Sequence, residues 1–315
     1  MASGIISVAA HDQRRDGVSA ALAITAAVVW MGLLVLTAAR VVLAADLVRD
    51  DLQSPAKRFD FFTLVAAAGV LGVRAAIAGW DRIGVALSLF GALAWLALGL
   101  SMAMHRRSAT PAWWSASGNW LLAVVATQSL AVLAGMLAGA GRAGPLQRVA
   151  LACWVIGLTL YALLIVAIGA RVLGTSPPPA RFTPDDWIVM GALAISTVAA
   201  TGLLGGELAD RTRALLADAA VLTWAVASSL VVPLAVLHLR GLLRDRAARR
   251  YQTGWWAAVF PLGMYSVATH QLAATLGMQP LESLAGIAFW AALGAWSLTA
   301  ALAVGSARSS MRPSS

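Results

Sequence analysis

Charge is what this chain lacks most. Only 12% of its 315 residues are Asp, Glu, Lys or Arg, against about 25% in a soluble domain. With 60% apolar residues and a mean hydropathy of +0.79, that depletion excludes an ordinary soluble domain. Cysteine is nearly absent. Cys153 stands alone in an apolar run, which excludes an intramolecular disulfide and a cysteine-based metal site. The four histidines, His11, His105, His238 and His270, include no i,i+4 pair, so neither a metal nor a haem is expected, and no cofactor is assigned. Charge is also missing from the middles of the small-residue apolar segments. Asp60, Arg74, Asp185 and Asp186 lie near segment ends, and Asp218 lies early in its own. A proton pump built on intramembrane carboxylates is therefore disfavoured. "AAGVLG" and similar glycine strings lack the strand–turn–helix context of a nucleotide loop, and no Ser-His-Asp constellation can be read. No catalytic residue is assigned, and an enzyme is not expected. The first ten residues carry no basic leader, so no cleavable signal is expected.

What the chain does have is long apolar runs. Nine stand out, at about 18–44, 60–80, 83–105, 117–140, 148–171, 186–206, 213–239, 255–277 and 283–306. Each is long enough to cross roughly 30 Å of hydrocarbon. Before them comes "MASGIISVAA", ended by "HDQRRDG". This stub is either a re-entrant piece or the second half of a span whose beginning is missing. Counted as the first helix, it makes ten. The loops after helices 2, 4, 6 and 8, with the C-terminal tail, then hold 15 of the 23 Lys and Arg. The basic excess marks the cytoplasmic side, so the C-terminus is expected inside. The expectation is one transmembrane domain over 1–315, ending in a short polar tail at 307–315. The net charge of +9 is spread over short loops as topology signals, and no nucleic-acid partner is expected. "RDRAARR", Arg244 to Arg250, reads first as an inside anchor and second as a contact for anionic lipid.

The chain repeats. "FFTLVAAAGVLG", "NWLLAVVATQS", "WIVMGALAIST" and "WWAAVFPLGMYS" each open with aromatics and continue in small residues. Phe62, Trp120, Trp187 and Trp256 are 58, 67 and 69 residues apart, the length of one helical hairpin. These are helices 3, 5, 7 and 9. "MASGIIS" matches "MGALAIS", Met190 to Ser196, at three of seven positions, which extends the repeat to the stub and predicts residues upstream of Met1. The even helices are rich in Leu, Val and Ala with a few Trp and suit lipid contact.

Small residues in membrane helices favour close packing. Recurring in five hairpins, they also suit a passage lined by the odd helices and walled by the even ones. The candidate lining residues are Gly4, Ser7, Thr63, Gly69, Gly72, Thr127, Gln128, Gly191, Ser196, Thr197, Gly263 and Ser266. Their hydroxyls and backbone N–H groups could solvate an anion without fixed positive charge, although a Ser or Thr in a helix commonly bonds its own backbone. Pro261 interrupts helix 9 directly after Phe260. A proline there removes a backbone hydrogen bond and is expected to kink the helix. Phe260 then has two readings: a packed ring, or a plug that closes the passage by excluding water.

Five stretches resemble one family in the correct order over nearly the whole chain: "MASGIIS", "FFTLVAAAGVLG", "GNWLLAVVATQSLAVLAG", "FTPDDWIVMGALAIST" and "WWAAVFPLGMYSVAT". It is the tellurite-resistance/dicarboxylate transporter family, which includes the guard-cell slow anion channels. The resemblance implies an all-α integral membrane fold, with ten transmembrane helices as five hairpins around a central pore. It implies a homotrimer in the cytoplasmic membrane, a small anion substrate such as malate, sulfite, nitrate or chloride, and occlusion by Phe260 beside Pro261. It leaves open an anion channel or a proton-coupled dicarboxylate or sulfite carrier. The family's helix 1 begins with a Pro and an aromatic upstream of the M-x-x-G string, and this chain departs from it there.

Overall fold

The computed structural model describes residues 1–54, 57–104, 116–139, 144–174, 182–206, 208–245 and 249–310. His105, Arg246 in the basic run and the end of the expected tail, 311–315, lie outside them. Among the described residues the chain forms helices and no strand. In order they are α1 Ala2–Asp12, α2 Asp16–Leu43, α3 Ala45–Gln53, α4 Phe62–Ile77, α5 Asp81–Met104, α6 Leu122–Gly139, α7 Pro145–Gly174, α8 Ile188–Leu204, α9 Asp210–Arg244, α10 Trp255–Leu276 and α11 Gln279–Ser310. Helix α11 thus takes in residues 307–310 of the expected tail. Eight helices among the described residues are long and apolar enough to cross a membrane. Helix α10 is not one of the eight. Its 22 residues include His270 and Gln271, which lower its hydropathy.

Local chemistry sets the entries and exits. A short 3-10 turn precedes each of α4, α6 and α8, at Arg58–Phe61, Gly118–Leu121 and Pro184–Trp187. In the last, Pro184 takes the first position and the Thr183 amide donates to Asp186 at 2.8 Å, a capping box that satisfies donors no helix can. Helix α10 stops where Gly277 adopts φ +67, the left-handed conformation that ends many helices. Ahead of α4, Asp51 accepts from Lys57 at 2.8 Å and Arg40 at 2.6 Å; the Lys57 bond foremost holds its carboxyl below the ordinary carboxylate range.

The helices fall into two sets by burial. In α6 and α8, 83% of the span is buried, against 11% in α5 and α7 and 17% in α2 and α11. The contacts of the inner set close on themselves: α1 touches α4, α4 touches α6, α6 touches α8, α8 touches α10 and α10 touches α1. Each outer helix touches the inner helix before it in sequence and the next inner helix round. Thus α2 packs on α1 and α4, α5 on α4 and α6, α7 on α6 and α8, α9 on α8 and α10, and α11 on α10 and α1. The outer faces carry exposed Leu, Val and Ile such as Leu36, Leu93, Val166 and Ile287. Such a surface is stable only against hydrocarbon. The molecule is a multi-pass helical membrane protein.

The inner helices approach closely because glycines stand at their contacts. A Cβ on Gly4 of α1 would lie 2.8 Å from Val70 of α4. On Gly69 of α4 it would lie 2.8 Å from Ser129 of α6, and on Gly72 it would lie 2.5 Å from Leu133. On Gly191 of α8 it would lie 2.8 Å from the Pro261 ring, and on Gly263 of α10 it would lie 2.9 Å from Ile5. Four of the five inner contacts therefore contain a glycine with no room for a side chain, the packing mode small residues permit in membranes. Helix α10 runs through Pro261 without ending. Gly191 supplies the space for the proline ring.

Candidate functional site

The outer helices are tied inward by tryptophan. Trp95 of α5 donates its indole N–H to Thr127 of α6 at 2.8 Å. Trp154 of α7 donates to the Ser196 carbonyl of α8 at 3.0 Å, and Trp224 of α9 to Thr269 of α10 at 3.0 Å. Trp296 of α11 donates to Ser3 of α1 at 2.9 Å. Each bond runs from an outer helix to the next inner helix round. On α2 the corresponding indole, Trp30, has no hydrogen-bond partner among the described residues and rests edge-on against Phe90 at 5.6 Å. These tryptophans read as lipid contacts in the sequence. In the structure their polar ends are directed into the protein.

These bonds and their neighbours account for most hydroxyls expected along a passage. Ser7 donates to the Ser19 carbonyl of α2 at 2.7 Å, and Ser19 returns a bond to the Ser7 carbonyl at 2.8 Å. Arg74 donates to the Ser7 hydroxyl at 3.2 Å. Thr63 donates to the Asp60 carbonyl at 2.6 Å. Thr127 donates to Ala123 while accepting from Trp95. Gln128 donates to the Trp154 carbonyl at 3.2 Å and lies against Gly157 of α7. Ser196 donates to Ala192, and Thr197 shares a 2.8 Å bond with Thr223 of α9. Ser266 donates to Ala285 of α11 at 2.9 Å. Ser7, Thr127, Gln128, Thr197 and Ser266 are thus bonded to or packed against the outer set.

A cavity of about 30 Å³ lies among α1, α4, α6, α8 and α10, space for about one water-sized body. Every inner helix contributes two residues three apart: Ile5 with Val8, Val70 with Val73, Ser129 with Val132, Ile195 with Val198, and Met264 with Val267. The second member is valine every time. All five valines border the one cavity. Gly69 and Gln271 complete the lining. Of the residues expected to line a passage, Gly69 borders this cavity. Among the described residues no charged side chain does. The missed residues left a trace in the sequence. The pairs fall eight and eleven residues after Phe62, Trp187 and Trp256, and nine and twelve after Trp120.

Phe260 is buried and 2% exposed, and it belongs to the large apolar core. It lies one turn before Met264, and residues 260, 264, 267 and 271 share one face of α10. Phe260 itself does not border the cavity. Beyond Val267 the same face reaches Gln271. Beside it, His270 contacts Glu282 at 2.7 Å, and Asp12 at the end of α1 lies within electrostatic reach of both. His238 sits among Phe182, Trp187 and Trp255 and accepts from the Trp187 indole at 3.2 Å.

A two-layered helical membrane protein with a narrow uncharged cavity on its axis is the class these features define. A family model described as SLAC1, voltage-dependent anion channel, matches residues 1–304. The chain belongs to this family, the one its motifs resemble. Over 145 residues it is 35% identical to an uncharacterized membrane protein of Mycobacterium tuberculosis, present in strains CDC 1551 and H37Rv. That alignment covers 43% of this chain and 73% of the relative. It is 22% identical over 149 residues to an uncharacterized transporter of Methanocaldococcus jannaschii, covering 46% of this chain and 42% of that one.

Proposed function

We propose that this protein carries small anions across the cytoplasmic membrane along the axis enclosed by α1, α4, α6, α8 and α10. In this reading the chain forms ten membrane helices in five hairpins, with the C-terminus in the cytoplasm, and assembles as a homotrimer. The observation that carries it is the cavity to which all five inner helices contribute and, among the described residues, no charged side chain does. An uncharged lining suits monovalent inorganic anions, which lose less hydration on entry than a dianion such as malate. Valine at five positions makes a constriction that resists wetting. Phe260, one turn past the opposite end, closes the path, and Pro261 holds that part of α10 against Gly191.

The test is anion flux in proteoliposomes, comparing the native chain with Phe260→Ala over chloride, nitrate, sulfite and malate. Flux raised by the substitution, with nitrate and chloride ahead of malate, supports the reading. Flux unchanged in a protein that still folds removes Phe260 as the closing residue.

The Asp12, His270 and Glu282 grouping favours one second reading, a proton-coupled dicarboxylate or sulfite carrier. These titratable groups lie at the Gln271 end of the axis. Such a carrier would take up anion under an inward pH gradient at zero voltage, whereas a channel would respond to voltage alone.

A further inference from the structure

Gln271 is unlike the rest of the cavity lining. Nine of its neighbours there are Ile, Val or Met, and the others are Gly69 and Ser129. The Ser129 hydroxyl already donates to the Ala126 carbonyl at 2.7 Å. Its proton is therefore turned back into α6. The Gln271 carboxamide is held by one end only. The Thr201 hydroxyl of α8 lies 3.0 Å from its Oε1, and its single proton is shared between that oxygen, the Val198 carbonyl at 3.0 Å and the Thr197 carbonyl at 3.2 Å. Among the described residues the amide nitrogen has no hydrogen-bond partner, and the side chain is half-buried at the cavity. A bond that fixes the oxygen also sets the direction of the NH₂ group, because the amide is planar.

We propose that Gln271 is the anion-recognising side chain of the path, with Thr201 as its positioning residue. The carboxamide offers neutral N–H donors to a monovalent anion such as nitrate one turn outside the five valines. A passing anion exchanges water for these donors before it meets the apolar ring. Neutral donors suit this task. They favour an anion over a cation by the direction of their dipole, yet bind weakly enough to release it, as conduction requires. The inference rests on the anion-path reading of the axis.

The test uses the full chain in detergent, titrated with sodium nitrate and read by its unfolding temperature. The proteins are the native chain, Gln271→Leu and Thr201→Val. Flux is measured in parallel in Phe260→Ala proteoliposomes with and without Gln271→Leu. Nitrate should raise the unfolding temperature of the native chain, with a midpoint about tenfold higher in concentration for Gln271→Leu, the size expected for one hydrogen bond to an ion. Thr201→Val should fall between, since the donors remain but lose their orientation. It also keeps the test decisive if Gln271→Leu fails to fold. Equal nitrate midpoints in the native chain and in a folded substitution overturn the proposal. So does a native chain that nitrate does not stabilise. Nitrate binding that depends on Gln271, without flux in any protein, would sink the conduction reading and leave this site standing. Flux with a nitrate response indifferent to Gln271 would do the reverse.

Discussion

The bare backbone of Gly191 on α8 lies against the Pro261 ring on α10, so close that a Cβ there would fall 2.8 Å from the proline Cγ and 2.9 Å from its Cβ. The pair explains how a proline sits inside a buried helix without ending it. Gly191→Ala should therefore destabilise the protein by about 1–3 kcal/mol, the usual range for overpacking. Pro261→Ala removes the opposing ring, and the double substitution should recover part of the loss. A double-mutant cycle of unfolding in detergent measures the coupling. Additive losses would mean that the proline ring beyond its Cβ does not carry the contact.

Removing the Phe260 ring should open the path. Phe260→Ala is expected to raise nitrate flux by about tenfold or more, equivalent to about 1.4 kcal/mol of barrier. Phe260→Leu should fall between the two. Flux in proteoliposomes at matched protein density reads the order.

The valines should form the second resistance. In a Phe260→Ala background, Val198→Thr keeps the shape of the side chain and adds a hydroxyl to a ring that resists wetting. Flux should rise further. Val198→Leu should lower it. If both changes leave flux untouched, the valines lie off the path.

The indole bonds make a contrast within one protein. Trp154→Phe removes a donor to the Ser196 carbonyl and should cost about 1 kcal/mol of stability. Trp30→Phe removes an N–H that has no hydrogen-bond partner among the described residues and should cost little or improve stability. Unfolding temperatures of the two variants, measured side by side, decide the matter. Equal losses would assign the effect to ring packing alone.

The division into inner and outer helices was legible in the sequence because the two sets differ in side-chain size. Runs such as "AAAGVLG" and "GALAIST" can lie against other helices on every side, while the Leu- and Val-rich segments cannot. Which side of an inner helix faces the axis was not legible, for the same reason. A helix buried all round has no polar face to read. Thr127, Gln128 and Ser129 are consecutive and all polar. In the structure Thr127 meets Trp95, Gln128 meets α7, and Ser129 borders the cavity. Only the position of the neighbouring indoles and glycines tells them apart. The partner of Pro261 was not legible either, because Gly191 lies 70 positions away in the chain.

The bond from Trp296 to Ser3 spans 293 residues of sequence. It has a consequence for how the protein is made. Every other inner–outer bond of this kind joins residues that leave the ribosome within a few tens of positions of one another. The contact of α10 and α11 with α1 must wait for almost the whole chain. Until then α1, only 11 residues long, has α2 and α4 beside it and an open flank. The nascent protein thus lacks the α1–α10 and α1–α11 contacts that close the inner set until its last two helices emerge. Ribosome-stalled intermediates lacking α10 and α11 should be the forms that quality-control proteases recognise.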